Sequence, residues 1–157
     1  MTRLWLGLLL AVAGAPLAGA AGGPPVAVPP PPPGHPPAIT AEAQYNAGVA
    51  LAARQDWPGA EAAYRDATRK KPNFPEAWNG LGHALKNLKR YDESVRAYEE
   101  ALRLRPDYAQ ALEYLGEAYV QMGKTADARR VLERLRPLDA TQAATLERAL
   151  GGGGGGW

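Results

Sequence analysis

Residues 75–108 decide the fold, and they read PEAWNGLGHALKNLKRYDESVRAYEEALRLRPDY. Apolar and small side chains recur at helical spacing in a first run that contains Trp78, Leu81, Gly82 and Leu85. A second run has the same spacing and contains Tyr91, Ser94, Val95, Tyr98, Ala101 and Leu102. The polar residues at 87–90 leave room only for a tight turn. The stretch therefore predicts two amphipathic helices folded into an antiparallel hairpin.

The same pattern recurs 34 residues earlier and 34 residues later, so that Gly48, Gly82 and Gly116 are in register. One hairpin cannot bury its own apolar face, and neighbours at a fixed period predict a stacked array. The positions that define the repeat are Gly48, Leu51, Tyr64, Trp78, Leu81, Gly82, Tyr98, Ala101, Leu115, Gly116, Tyr119 and Ala128.

This pattern resembles the tetratricopeptide repeat, whose Trp, Leu-Gly, aromatic and Ala positions correspond here to Trp78, Leu81, Gly82, Leu85, Ser94, Tyr98 and Ala101, with Pro106 closing the unit. The resemblance implies an all-α fold in which three antiparallel helix-hairpin repeats, residues 41–74, 75–108 and 109–142, stack as a short right-handed superhelix. A C-terminal capping helix at 140–150 is expected to cover the last repeat, because repeat arrays need a polar outer end.

Polar residues that can cap a helix stand before the predicted helices. Thr40 and Asp56 precede the two helices of the first repeat. Three further residues have a Glu or Gln three positions later, which is the spacing of a capping box, and we expect N-caps at Asn73, Asp107 and Asp139.

Residues 1–20 have the three parts of a secretory signal peptide: Arg3, an apolar run at 4–13, and the small residues at 18–20. We expect cleavage after Ala20 and a periplasmic or secreted protein with no membrane span after cleavage. The alternative is an uncleaved leader that anchors the protein in the inner membrane, because residues 4–21 carry no charge.

Residues 21–39 form a linker that contains nine prolines, and we expect it to be disordered and extended. A spacer is the simpler interpretation, and a ligand for a proline-binding groove is the alternative. At the other end, residues 151–157 comprise six glycines and Trp157, which predict a flexible tail. The role of Trp157 stays open between an inert end and a docking residue.

The inventory of reactive side chains is short. Eighteen basic residues against sixteen acidic ones give no reason to expect nucleic acid, and the absence of cysteine excludes disulfides and thiolate metal sites. The two histidines are His35 and His83, and no HExxH, GxSxG or phosphate-binding loop occurs. We therefore predict no enzyme, no catalytic residue, no cofactor and no metal.

The resemblance implies instead a concave groove, lined by the first helix of each hairpin, that receives an extended peptide or a partner helix. The corresponding side chains here are mostly polar, and His83 with Lys86 suggests contact with an acidic group. The predicted partner-binding residues are Tyr45, Asn46, Val49, Asn79, His83, Lys86, Asn87, Glu113, Tyr114, Glu117 and Gln121. The alternative is a solvated face on an array that binds elsewhere.

One version of the family grips the C-terminal carboxylate of a chaperone with Lys, Asn and Arg side chains. The matching positions here hold Tyr45, Val49, Gly80, Gln110 and Tyr114, so this clamp is absent. We expect a non-enzymatic scaffold or assembly factor of the bacterial cell envelope. The alternatives are an accessory subunit of an envelope enzyme or secretion complex, and a self-associating structural module; the oligomeric state and the partner stay open.

Overall fold

The computed structural model describes residues 25–27 and 39–152. This part of the chain contains seven α-helices and no strand, which confirms the predicted all-α repeat fold. They are α1 (Ala41–Ala53), α2 (Trp57–Lys70), α3 (Pro75–Asn87), α4 (Tyr91–Leu104), α5 (Ala109–Gln121), α6 (Thr125–Leu135) and α7 (Ala140–Gly152). None of these helices is long and apolar enough to cross a membrane.

Several sequence predictions concern residues beyond the described ranges. The signal peptide at 1–20, most of the proline-rich linker and Trp157 lie outside the described residues. At the C-terminal end, α7 continues through Gly151 and Gly152, two residues past the predicted end of the capping helix.

The helices form two layers, because each hairpin contributes one helix to each. In the inner layer, α1 contacts α3 and α3 contacts α5. In the outer layer, α2, α4 and α6 make no comparable contact with one another within the described helices. Helices that approach more closely on one side give an array its curvature, so α1, α3 and α5 line the inside of the curve. We call their solvent-facing side the concave face.

Glycine lets the two helices of a hairpin approach closely. A Cβ atom added at Gly48 would lie 2.7 Å from the ring of Tyr64, and one at Gly82 would lie 2.6 Å from the ring of Tyr98. Both tyrosines are fully buried. Large rings therefore fill the spaces that the missing side chains leave.

In the third repeat, a different kind of side chain packs against the glycine. A Cβ atom at Gly116 would meet a δ-methyl carbon of Leu146 in α7. Leu132 in α6 stands 34 residues after Tyr98, at the position that a strict repeat would use. Leu146 is fully buried, and α7 packs against both α5 and α6. The last helix thus takes the place that a further repeat would occupy.

Two of the capping-box predictions are wrong and three of the caps are confirmed. Thr40 Oγ1 accepts from Ala43 N at 3.1 Å, Asp56 Oδ1 from Gly59 N at 3.0 Å, and Asp139 Oδ1 from Gln142 N at 2.9 Å. Asn73 and Asp107 do not cap, because the N-cap residues are Phe74 and Tyr108, one position later. Phe74 is buried against the first core cluster, and burial of this ring shifts the helix start.

An ion pair recurs with the repeat. Glu42 accepts from Lys71 in the first hairpin, and Glu76 from Arg105 in the second. Each cation also lies over an aromatic ring, Lys71 over Phe74 at 4.8 Å and Arg105 over Tyr108 at 4.7 Å. The third repeat has Gln110 and Asp139 at the ion-pair positions and loses this pair. The first two repeats therefore share these ion pairs and cation–ring contacts as well as their core packing.

The turn inside each hairpin also repeats. The residue at its centre has positive φ in all three cases: 61° at Gln55, 60° at Lys89 and 70° at Gly123. In each turn the next backbone N–H reaches a carbonyl five residues back, as Asp56 does to Leu51 at 3.0 Å. This helix-ending arrangement favours glycine at the residue with positive φ, yet only the third repeat has a glycine there.

Candidate partner-binding surface

The structure buries two of the predicted groove residues, so the prediction that they face a partner is corrected. Tyr45 is 0% exposed, and its ring lies 5.1 Å from that of Phe74 and 5.8 Å from that of Tyr64. Asn79 is also 0% exposed. Helical spacing places both residues near the groove. In the structure, however, their side chains pack between neighbouring helices, where an aromatic ring or an amide fills space.

Asn79 lies in a polar network between α3 and α5. Its Nδ2 atom is 3.3 Å from Gln110 Oε1 and 3.5 Å from Tyr108 Oη, and Gln110 Nε2 donates to Tyr114 Oη at 3.3 Å. Asn79 Oδ1 is buried and has no hydrogen-bond partner among the described residues. An unpaired buried acceptor reduces stability, so this network stabilises the joint less than a fully paired one would.

The remaining predicted residues of α3 and α5 come together in one place. The ring of His83 lies 5.0 Å from that of Tyr114 and 5.3 Å from that of Trp57. Lys86 Nζ lies 4.8 Å from the centre of the Tyr114 ring and forms an ion pair with Glu117. We call Trp57, His83, Lys86, Tyr114 and Glu117 the His83 cluster.

His83 is neutral in this setting. Burial lowers its pKa from 6.5 to about 4, and the nearby Lys86 ammonium acts in the same direction. Asn87 Nδ2 lies 3.2 Å from His83 Nδ1 and donates to His83 O at 2.9 Å, so an amide donor faces the ring nitrogen. The ring is a flat, uncharged contact surface and not a cation.

The expected attraction to an acidic group is therefore not supported. His83 carries no charge, and the charge of Lys86 is paired with Glu117. Glu113 adds a further carboxyl nearby; burial raises its pKa, with Glu117 adding to the effect. The surface combines aromatic rings with balanced charge, which suits a peptide of low charge better than an acidic one.

A depression of about 400 Å³ adjoins the cluster. It lies between the C-terminal ends of α3 and α5 and is closed on one side by Ala149 of α7. Lys86, Asn87, Glu117 and Gln121 contribute polar atoms to its wall, and Val120 contributes an apolar patch. Asn87 and Gln121 are exposed, so their amides can bind a ligand's backbone.

Asn46 and Val49 belong to the N-terminal end of the concave face, on α1. Asn46 is half-buried and pairs with the main chain of Val26 in the proline-rich segment. Val49 packs against the first core cluster. The helix α3 lies between these residues and α5, so the predicted surface divides into two ends.

Sequence reasoning missed two contributors. Trp57 is not among the predicted groove residues, yet its ring lies against His83 and extends the cluster onto α2. Val26 lies in the predicted linker, in the stretch 24–33 where only three residues keep a backbone N–H. Among the described residues, no group of His, Cys, Asp and Glu side chains could hold a metal ion.

Comparison with protein families identifies the class. Three family models match the chain: a TPR repeat over residues 82–123, and two tetratricopeptide repeats over residues 63–96 and 38–75. Together these matches are continuous from residue 38 to residue 123. The chain belongs to the tetratricopeptide-repeat family, a class that serves as protein-interaction modules.

Solved tetratricopeptide-repeat structures share the fold. The TPR2B domain of yeast Sti1 in complex with pHsp70 has a TM-score of 0.69 at 20% identity, covering 73% of this chain and 98% of that one. The first TPR of Spaghetti (RPAP3) bound to the HSP90 peptide SRMEEVD has a TM-score of 0.68 at 19% identity, covering 72% and 91%. The Sgt2 TPR domain from Aspergillus fumigatus has a TM-score of 0.65 at 20% identity, covering 76% and 82%. No curated protein matches the sequence significantly.

Proposed function

We propose that this protein is a non-enzymatic interaction scaffold or assembly factor of the bacterial cell envelope, and that its concave face binds an extended peptide or a helix of a partner. The observation that carries the proposal is the His83 cluster, in which three helices bring aromatic rings and an ion pair to one surface beside the exposed amides of Asn87 and Gln121. Such a mixture of rigid rings and adaptable amides is typical of interaction surfaces.

The ligand that fits this surface has little net charge. Relatives of similar fold bind chaperone peptides, such as the HSP90 peptide SRMEEVD on RPAP3. This chain lacks the Lys, Asn and Arg positions that grip a terminal carboxylate, and Lys86 is already paired. We infer that an apolar or aromatic side chain of the partner packs on Tyr114 and His83, while Asn87 and Gln121 bind its backbone.

A photo-cross-linking experiment in the producing cells tests the surface. A photoreactive residue is placed at Gln121, which is exposed beside the depression. The matched control has it at Arg96, exposed on the outer helix α4. We expect one defined adduct from position 121 and none from position 96. The same adduct from both positions, or an adduct from position 96 alone, would place the binding surface elsewhere.

The envelope location rests on the sequence of residues 1–20 and has its own test. An intact mass of the protein purified from its native source gives the start of the mature chain. We expect a chain that begins at Ala21 and is found in the periplasmic or secreted fraction. A chain that retains residues 1–20 and sediments with membranes would support the uncleaved anchor instead.

A further inference from the structure

The proline-rich segment of this chain contacts the array through Val26. The backbone N–H of Val26 donates to Asn46 Oδ1 at 2.8 Å, and Asn46 Nδ2 donates to the backbone carbonyl of Val26 at 2.6 Å. The side chain of Val26 is half-buried and packs against the core cluster of the first repeat. One residue is thus held by its main chain and by its side chain together.

The two hydrogen bonds between Asn46 and Val26 follow from the geometry of an extended chain and of a carboxamide. In an extended chain, the N–H and C=O of one residue point to the same side, as they do in an antiparallel ladder. A carboxamide presents one donor and one acceptor in the same plane and can satisfy both groups at once. The two bonds also fix the orientation of the Asn46 amide. A carboxylate at this position would lose the donor.

The sequence of the segment limits which residue can dock. Proline has no backbone N–H, so it cannot complete this pair of bonds. Between residues 24 and 33, only Val26, Ala27 and Val28 are not proline. Pro25 also biases its surroundings toward extended backbone, and Pro25 and Ala27 are both exposed while Val26 is half-buried. The contact therefore selects an extended, non-proline residue with a small apolar side chain.

We propose that the N-terminal end of the concave face is a binding site for extended peptide backbone, and that residues 25–27 of the same chain occupy it as an intramolecular ligand. A partner that binds there competes with this segment. Docking of Val26 is independent of the proposed function, because Asn46 lies on α1 and the His83 cluster lies on α2, α3 and α5. Only the competition with a partner rests on that function.

The first test measures the amide of Val26 in the full chain by NMR hydrogen exchange. Asn46→Leu removes both the acceptor of the Val26 N–H and the donor to the Val26 carbonyl at almost constant shape, and Asn87→Leu makes the same change at the other end of the face. We expect exchange at Val26 to be at least tenfold slower in the wild type and in Asn87→Leu than in Asn46→Leu. Equal rates in all three chains would overturn the docking.

The second test measures occupancy. A fluorescent peptide covering residues 22–38 is titrated into the wild type, into Val26→Pro, whose own segment has lost the required N–H, and into Ala27→Pro, which retains it. A tethered ligand has an effective concentration on the order of 1 mM, so a peptide with a dissociation constant of about 0.1 mM meets roughly tenfold competition. We expect Val26→Pro to bind the peptide about tenfold more tightly than the other two chains.

Two results of this titration would overturn the proposal. Equal affinity for all three chains would mean that the segment does not occupy the site, and absence of binding to Val26→Pro at millimolar peptide would mean that the site does not hold this sequence. Either result overturns the proposal. Loss of the partner adduct at Gln121 would leave both tests untouched, because that position reports on the other end of the face.

Discussion

The two ends of the concave face have equivalent positions of the repeat, but the side chains at these positions make different contacts. At the N-terminal end, Asn46 pairs with the backbone of Val26. At the C-terminal end, Tyr114 occupies the position 68 residues later and stacks against His83. Between them, the same position holds Gly80, whose missing side chain makes room for the ring of Tyr64.

One register position thus serves three purposes in one molecule. The scaffold repeats because each hairpin must bury the same faces, whereas the surface has no such requirement. The difference indicates that the stacking residues and the binding residues are separable. Variants that change one end of the face without the other can test that separation.

The largest expected difference concerns the glycines beneath each end. Gly48→Ala places a methyl group 2.7 Å from the Tyr64 ring, whose neighbours are fully packed, and we expect a loss of about 2 kcal/mol. Gly116→Ala meets the two δ-methyl carbons of the buried Leu146, which can rotate away more readily than a tyrosine ring, so we expect a smaller loss. The better helix propensity of alanine favours both variants equally. Gly151→Ala, which meets nothing within 4 Å, is the control. Urea unfolding gives the three values, and equal losses at Gly48 and Gly116 would contradict the assigned packing.

A second difference is the pH dependence of the C-terminal end. The pKa of His83 is lowered to about 4, so the unfolded chain takes up a proton as the pH falls through 6.5 while the folded chain does not. The stability contribution of the neutral ring is present above pH 6.5 and is lost as the pH falls toward 4. We expect a loss on the order of 2 kcal/mol between these values.

His83→Gln isolates this effect from the carboxylates that also titrate in acid. The variant should unfold with a flatter stability profile between pH 6.5 and 4, measured by urea midpoints at half-unit intervals. A variant with the wild-type slope would show that His83 titrates at its ordinary pKa and is not desolvated by the cluster.

A smaller difference is expected between the coupling energies of an ion pair on the concave face and one on the outer helix α4. The Lys86 and Glu117 side chains are only 15% and 29% exposed, and a double-mutant cycle with Lys86→Met and Glu117→Gln should give a coupling of about 1 kcal/mol. Arg103 and Glu100 on α4 are 65% and 31% exposed, and their cycle should show no measurable coupling. Equal coupling in both cycles would show that the concave pair gains nothing from its partial burial.

The smallest effect is expected in the turns. Lys89 has a φ of 60° without being glycine, and Lys89→Gly should stabilise the chain by roughly 0.5 kcal/mol once the added backbone entropy is subtracted. Gly123→Ala, the equivalent change in reverse at φ of 70°, should cost about 1 kcal/mol. Thermal melting of both variants decides the signs, and a destabilised Lys89→Gly would contradict this account of the turn.

Periodicity predicted the scaffold because it depends on faces that every hairpin must bury. The fixed spacing of Gly48, Gly82 and Gly116 located the hairpins, and small polar residues located the caps at Thr40 and Asp56. Spacing could not predict that the N-caps are Phe74 and Tyr108 and not Asn73 and Asp107. Phe74 is buried and Tyr108 is half-buried, and packing of these rings is a tertiary effect.

The surface was harder to predict because adjacent helical positions differ in exposure by a small rotation. Tyr45 and Asn79 are fully buried between repeats, whereas Asn46, next to Tyr45, and His83, one turn after Asn79, are half-buried. The pairing of Val26 with Asn46 joins residues 20 apart across a segment without helical periodicity. No local pattern specifies such a contact, although between residues 24 and 33 only Val26, Ala27 and Val28 have the backbone N–H that it requires.

The most direct test of the concave face as a binding surface is the affinity of the partner peptide identified by the Gln121 cross-link. Its dissociation constant is measured for the wild type, for Gln121→Ala, and for Arg96→Ala on the outer helix. We predict about tenfold weaker binding for Gln121→Ala, which loses a hydrogen bond to the peptide backbone, and unchanged binding for Arg96→Ala. Unchanged affinity for Gln121→Ala, or an equal loss for Arg96→Ala, would contradict the account.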